Sequence, residues 1–125
     1  MSKFTTLKPT LYTKQLKETI QFYTSVLGFE CADFDESLGW AFVTKDDVET
    51  MFAYPNEHMS FDGPAFTGSL YIHTDNVDDL WVKYKDVCKV CYDPENFEYG
   101  MREFAVYDNN GYLLQFGQQL INHHL

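Results

Sequence analysis

Residues 61 positions apart along this chain match in character: Thr13 with Thr74, Leu16 with Val77, Ile20 with Trp81, Tyr23 with Tyr84, Val26 with Val87, Gly39 with Gly100 and Asp47 with Asp108. Identity is low, but each half reads as a strand, a polar entry, an amphipathic helix, a glycine with a large apolar residue, and then further strands joined by Asp-containing turns. A unit used twice predicts a pseudo-symmetric α+β fold with a cleft between its halves. It also says which positions in that cleft should be equivalent.

The pattern predicts a strand over residues 4–12, where Leu7, Pro9 and Leu11 alternate with Thr6, Lys8 and Thr10. Pro9 makes it an edge strand, or one paired outside its own sheet. Leu16, Ile20, Tyr23 and Leu27 recur at helical spacing, widened by Phe22 and Val26, and Gly28 is placed as the helix stop. Strands follow over 29–34, 40–43 and 50–54, the last stopped by Pro55. A polar linker over 56–66 carries His58, Met59, Phe61 and Phe66. The second half predicts a strand over 69–73 and a helix capped by Asp75 or Asn76 that bears Val77, Leu80, Trp81, Tyr84 and Val87. A short strand over 90–92, a loop over 93–100, a strand over 101–107 and a last strand over 112–117 complete it. The turn Asp108-Asn109-Asn110-Gly111 is expected to be tight, with Asn110 and Gly111 at positive φ. The order is βαβββ twice: one module over about 4–55, a second over about 67–118, and a tail over 119–125, all in one domain of 125 residues.

Net charge is −10, which argues against nucleic acid. No apolar run is long enough to span a membrane, and no apolar leader follows Met1, so the expected address is cytoplasmic. Three cysteines fit a reducing compartment. Cys88 and Cys91 form C-x-x-C at a helix end and not at a helix start, so they read as two small half-buried residues. With 11 Phe and 9 Tyr there are more aromatic residues than a core of this size requires, and some are expected to line a pocket.

Three segments carry a family resemblance. Phe22-Tyr23-Thr24-Ser25-Val26-Leu27-Gly28-Phe29 resembles the F-Y-x-x-x-L-G-F helix end of the vicinal oxygen chelate superfamily, which contains glyoxalase I, extradiol dioxygenases, and fosfomycin- and bleomycin-resistance proteins. Leu70-Tyr71-Ile72-His73-Thr74-Asp75-Asn76-Val77-Asp78 resembles the start of that family's second module. The stretch from Gly100 through Arg102, Glu103 and Asp108 to Gly111 and Gly117 resembles its closing hairpin. The resemblance implies two tandem βαβββ modules in a curved mixed sheet around a cleft, in a homodimer that is either strand-exchanged or side by side.

The resemblance also implies where the family's metal enzymes hold their ion: on the first and last strand of each module. Here these positions are Lys8, Tyr54, Ser69 and Gln115, self-consistent at a separation of 61. A divalent ion asks for imidazole or carboxylate at such places, so no metal and no cofactor are expected. His58, His123 and His124 lie elsewhere in the chain. Strand alternation then places Thr6, Lys8, Thr10, Thr50, Phe52, Tyr54, Ser69, Tyr71, His73, Leu113 and Gln115 toward the cleft, with Trp40 and Phe42 (or Ala41 and Val43), Glu103 and Tyr107 from the middle strands. The expected ligand-binding groove is therefore Lys8, Trp40, Phe42, Phe52, Tyr54, Ser69, Tyr71, Glu103, Tyr107 and Gln115. Glu103 or Asp108 is placed to meet a cationic ligand, and Arg102 with Glu103 to pin the hairpin or the subunit contact.

The expected function is metal-independent binding or sequestration of a small amphipathic, aromatic or cationic molecule, in the manner of bleomycin-resistance proteins and antibiotic resistance. The expected partners are that molecule and a second copy of the chain. The alternative is a glyoxalase-type lyase, isomerase or dioxygenase. It would use an unusual metal site of Gln115, His73 and Glu103, or metal-free acid–base chemistry by Glu103, as candidate catalytic residue, with Tyr54 or Lys8.

Overall fold

The computed structural model describes residues 2–56, 61–66 and 68–120, so His58, Met59, His123 and His124 lie outside the described residues. The chain divides into two compact units, Met1–Asp62 and Gly63–Leu125, with the boundary inside the expected linker.

The first unit contains β1 (Thr10–Tyr12), α1 (Leu16–Gln21) running on into a π-helical turn (Phe22–Val26), β2 (Glu30–Asp35), β3 (Trp40–Lys45) and β4 (Val48–Ala53). Its strands lie in the order β1-β4-β3-β2, with β1 parallel to β4 and the other pairs antiparallel. The second unit contains β5 (Leu70–His73), α2 (Val77–Tyr84), β6 (Lys89–Asn96), β7 (Met101–Tyr107) and β8 (Leu113–Gln119), in the equivalent order β5-β8-β7-β6. The twofold βαβββ plan is as expected.

The repeated threonines do the same work twice. Thr13 N–H donates to the Ala53 carbonyl and Thr74 N–H to that of Gly117, tying each first strand to its last. Each threonine hydroxyl then accepts the N–H two residues on, from Gln15 at 3.1 Å and Asn76 at 3.3 Å. Asn76 is the cap of α2, its side-chain oxygen accepting from Asp79 N–H. In the π-helical turn after α1 the Thr24 hydroxyl donates to the Ile20 carbonyl at 2.8 Å and competes with the main chain for it. The helix widens there, and Leu27 N–H reaches back five residues to Phe22. Gly28 at φ +84° ends the helix as expected.

Each sheet buries one face under its helix. In the first unit Leu16 and Tyr23 cover Leu11, Ala41, Val43 and Phe52, and the rings of Tyr23 and Phe52 lie 4.8 Å apart. In the second, Trp81 and Tyr84 pack on Phe104 and Phe116 at ring distances of 5.3 to 6.5 Å, and the two phenylalanines stack at 5.2 Å. Arg102 pairs with Asp78 of α2 and not with Glu103, so it ties the helix to β7.

Four local expectations are corrected. The first strand is only Thr10–Tyr12, and the segment before it is exposed, with Phe4 at 99% and Leu7 at 88%. Pro9 cannot donate to a ladder, though its carbonyl accepts from Met51 N–H. The first half of the loop expected over 93–100 is strand. β6 runs to Asn96 through Pro94 because two register shifts accommodate the residues that do not pair. In the closing turn only Gly111 has positive φ, and the Asp108 carboxylate accepts the N–H groups of Asn110, Gly111 and Tyr112. Asp108 is thus a turn residue, 6% exposed, and is not placed for a ligand. Among the described residues no helix is long and apolar enough to cross a membrane.

Candidate functional site

The face of each sheet turned away from its helix carries the candidate residues. In the second unit the pairing sets Tyr71 beside Gln115, Gln115 beside Ala105, and Gly117 beside Glu103. Alternation along β7 puts Glu103 opposite in facing to Phe104, which packs under the helix. Glu103 is 1% exposed. A buried carboxylate needs donors, and four side chains supply them.

The hydroxyls of Tyr71 and Tyr99 donate to Glu103 Oε1 at 2.9 and 2.6 Å. The Tyr92 hydroxyl and the Gln115 amide donate to Oε2, the latter at 3.2 Å. Gln115 Nε2 also donates to the Tyr92 oxygen at 2.8 Å, and its Oε1 accepts from the Ser69 hydroxyl. Ser69, Tyr71, Tyr92, Tyr99, Glu103 and Gln115 form one network drawn from all four strands of the sheet, the position before β5, and the turn before β7. None of its donors to Glu103 is a cation.

The negative charge shows in the phenols. Burial first, and then the bond to Glu103, push Tyr71 well above the ordinary tyrosine value, and the same causes raise Tyr92 against an opposing bond from Gln115. The bond to Glu103, then burial, push Tyr99 up to about 12. All three therefore stay protonated, as donors, through the neutral range.

The rings of the shell contact further aromatic side chains. Tyr71 lies 5.1 Å from His73, Tyr92 meets Phe97 edge-on at 5.8 Å, and Phe97 stacks on Tyr99 at 5.4 Å and 9°. Tyr107 shares the face near the hairpin end, with the Lys89 ammonium 5.4 Å from its ring and its hydroxyl 3.4 Å from Cys91 Sγ. Cys91 is exposed and Cys88 half-buried, both as free thiols.

The corresponding face of the first unit carries apolar residues at its centre, with Thr10, Thr44 and Glu49 on the same parity. Thr10 pairs with Met51, Met51 with Phe42, and Trp40 with Ala53. The Lys8 ammonium sits 4.1 Å over the Phe42 ring, and Tyr12 meets Phe61 edge-on at 6.5 Å. Trp40 and Phe42, and not Ala41 and Val43, are the residues on this face.

Two groove residues are misplaced by the fixed spacing of 61. Phe52 is fully buried against Tyr23 under the helix, as is Thr50 at 3% exposure, so neither lines the second face. Tyr54 shares their parity. Its ring lies against Gly39, which has φ +76°, and its hydroxyl is 3.4 Å from Glu36.

The pairing explains the slip. Leu11 pairs with Phe52 while its counterpart Ile72 pairs with Phe116, and Thr10 pairs with Met51 while Tyr71 pairs with Gln115. The equivalent of Gln115 is therefore Met51 and not Tyr54. By the same ladders Trp40 stands in the place of Glu103. The extra residues enter in the bulged β6 region and in the longer hairpin turn after Tyr107.

The four metal positions implied by the resemblance thus become Lys8, Met51, Ser69 and Gln115. An ammonium and a thioether, with a hydroxyl and an amide that are already bonded to one another, do not fit a divalent ion. Among the described residues no three His, Cys, Asp or Glu side chains come together as a metal would need.

Tyr92, Tyr99, Met51 and Gly117 are the site residues that sequence reasoning missed. The available signal was Glu103 itself, a carboxylate inside an apolar strand, which demands neighbouring donors in a region rich in tyrosine.

The family model for the Glyoxalase/Bleomycin resistance protein/Dioxygenase superfamily matches residues 5–116. Among solved structures, a glyoxalase/bleomycin resistance protein/dioxygenase from Nocardioides superposes with TM-score 0.80 at 14% identity, over 98% of this chain and 88% of that one. TioX from Micromonospora sp. ML1 gives 0.77 at 15%, over 94% and 100%. A bleomycin resistance determinant encoded on transposon Tn5 gives 0.75 at 22%, over 93% and 98%. No curated protein matches the sequence significantly.

Proposed function

The chain belongs to the glyoxalase/bleomycin resistance protein/dioxygenase superfamily, and on that premise we propose that it binds and sequesters a small amphipathic, aromatic or cationic molecule without a metal. One observation supports this most. Gln115 and Ser69, at positions where metal enzymes of the family would place ligands, are bonded to one another and built into the shell of Glu103. The second face of each sheet has its own chemistry to offer such a molecule. Trp40, Phe42 and Met51 offer apolar and stacking surface, and the tyrosines around Glu103 offer polar groups and negative potential.

Acid–base catalysis by Glu103 is less favoured by the geometry, because each of its oxygens already accepts two hydrogen bonds and Tyr54 lies on the helix side of its own sheet. We further propose that the chain pairs with a second copy of itself.

The test is calorimetric titration with zinc, nickel, manganese and iron(II), beside a thermal-shift panel of neutral and cationic aromatic compounds. We expect no stoichiometric metal binding and a stabilising shift from at least one aromatic class, weakened by Phe42→Ala. Tight one-to-one metal binding, or a panel without a single shift, would refute the reading.

A further inference from the structure

Glu103 is a buried anion whose four donors are all neutral. Buried carboxylates are ordinarily paired with a cation. Among the described residues no lysine, arginine or histidine bonds to this one.

The four donors are not alike. Tyr71, Tyr92 and Gln115 stand in β5, β6 and β8, held by main-chain ladders. Tyr99 belongs to none of the strands. It sits in the short turn between β6 and β7, closed by Phe97 N–H to the Met101 carbonyl and Gly100 N–H to that of Phe97. Its side chain is 58% exposed, although its hydroxyl reaches a carboxylate that is 1% exposed. Tyr99 therefore covers Oε1 from the solvent side and is the donor that can leave with least disruption. When it leaves, Oε1 keeps its bond from Tyr71, and Oε2 keeps both of its own.

Resting on the binding reading above, we propose that Glu103 is the anchor for a protonated amine on the ligand, and that the Tyr99 hydroxyl holds that amine's place until the ligand displaces it. An ammonium would exchange a neutral donor for a charged one at a buried carboxylate, which is the stronger bond. The rings of Tyr71 and Tyr92, whose hydroxyls reach Glu103, and of Phe97, stacked on Tyr99, offer apolar surface for the body of such an amine.

The experiment titrates protein carrying ring-labelled tyrosine with phenethylamine, phenethyl alcohol and hydrocinnamate, which share one hydrocarbon frame and differ in charge. The wild type is compared with Tyr99→Phe and Glu103→Gln. We expect the amine to bind about tenfold more tightly than the alcohol or the acid, and the Tyr99 resonance to move furthest among the tyrosines. Tyr99→Phe, a change at an exposed side chain outside the strands, should tighten amine binding by roughly threefold by removing the competing hydroxyl. Glu103→Gln should lose most of it.

Amine affinity unchanged or weakened in Tyr99→Phe, or retained in Glu103→Gln, overturns the anchor. Equal binding of all three compounds, or of the alcohol alone, overturns the anchor while the metal-free groove stands. No binding of any of the three overturns the anchor also, and the wider compound panel then decides the groove separately.

Discussion

The Tyr71 hydroxyl crosses directly over Gly117, where an added Cβ would stand 2.0 Å from it. Gly117 pairs with His73 on one side and Glu103 on the other. Its missing side chain is thus what lets Tyr71 reach diagonally to Glu103. Gly117→Ala should push the ring aside, break the Tyr71–Glu103 bond and destabilise the protein by about 1–3 kcal/mol. Urea midpoints of Gly117→Ala, Tyr71→Phe and the double variant would check this. The double should cost clearly less than the sum of the singles, whereas strict additivity would show that the two residues are not coupled.

The tyrosine shell makes a pH prediction with a definite sign. Tyr71, Tyr92 and Tyr99 are raised above the ordinary value of about 10, Tyr99 to about 12, by burial and by the bond to Glu103. The unfolded chain loses these protons first. The shell's contribution to stability is therefore complete below about pH 10 and is lost as pH climbs through the folded values. Phenolate absorbance of the native protein should show a late-titrating group of tyrosines, and the urea midpoint should fall above about pH 10. Glu103→Gln should shift part of that late group to lower pH. Native tyrosines that all ionise together at the ordinary value would contradict the network.

Phe52 and Phe42 sit on adjacent strands of one sheet and should behave oppositely. Phe52 is fully buried against Tyr23, so Phe52→Ala should cost about 3–5 kcal/mol. Phe42 is half-buried on the second face beneath Lys8. Phe42→Ala should cost no more than about 1–2 kcal/mol and should instead weaken ligand binding. A reversed order of stabilities would place the two faces wrongly.

The segment before β1 carries Phe4 and Leu7 almost fully exposed. Two such side chains on an extended strand neighbour call for a partner surface. Light scattering should give a dimer mass, and Phe4→Ser with Leu7→Ser should shift it toward monomer. A wild-type monomer at all concentrations would remove the self-pairing proposal.

Much of this protein was legible in its residue order. Thr13 and Thr74 perform identical tasks, Asn76 caps its helix, Gly28 stops the other, and Trp40 and Phe42 fall on the face opposite Ala41 and Val43, because caps and period-two alternation are local properties of a strand or helix. The register of the last strand in each module was not legible. Residues absorbed in the β6 bulges and in the hairpin turn after Tyr107 shift the pairing by three positions relative to the fixed repeat, which exchanges Tyr54 for Met51 and moves Phe52 from groove to core. A shift by an odd number turns every side chain to the other face, and only pairing with a neighbouring strand decides it. The shell of Glu103 belongs to the tertiary structure for the same reason. Ser69, Tyr71, Tyr92, Tyr99 and Gln115 come from separate parts of the second module, and nothing short of the assembled β5-β8-β7-β6 sheet brings their hydroxyls and amide to one buried carboxylate.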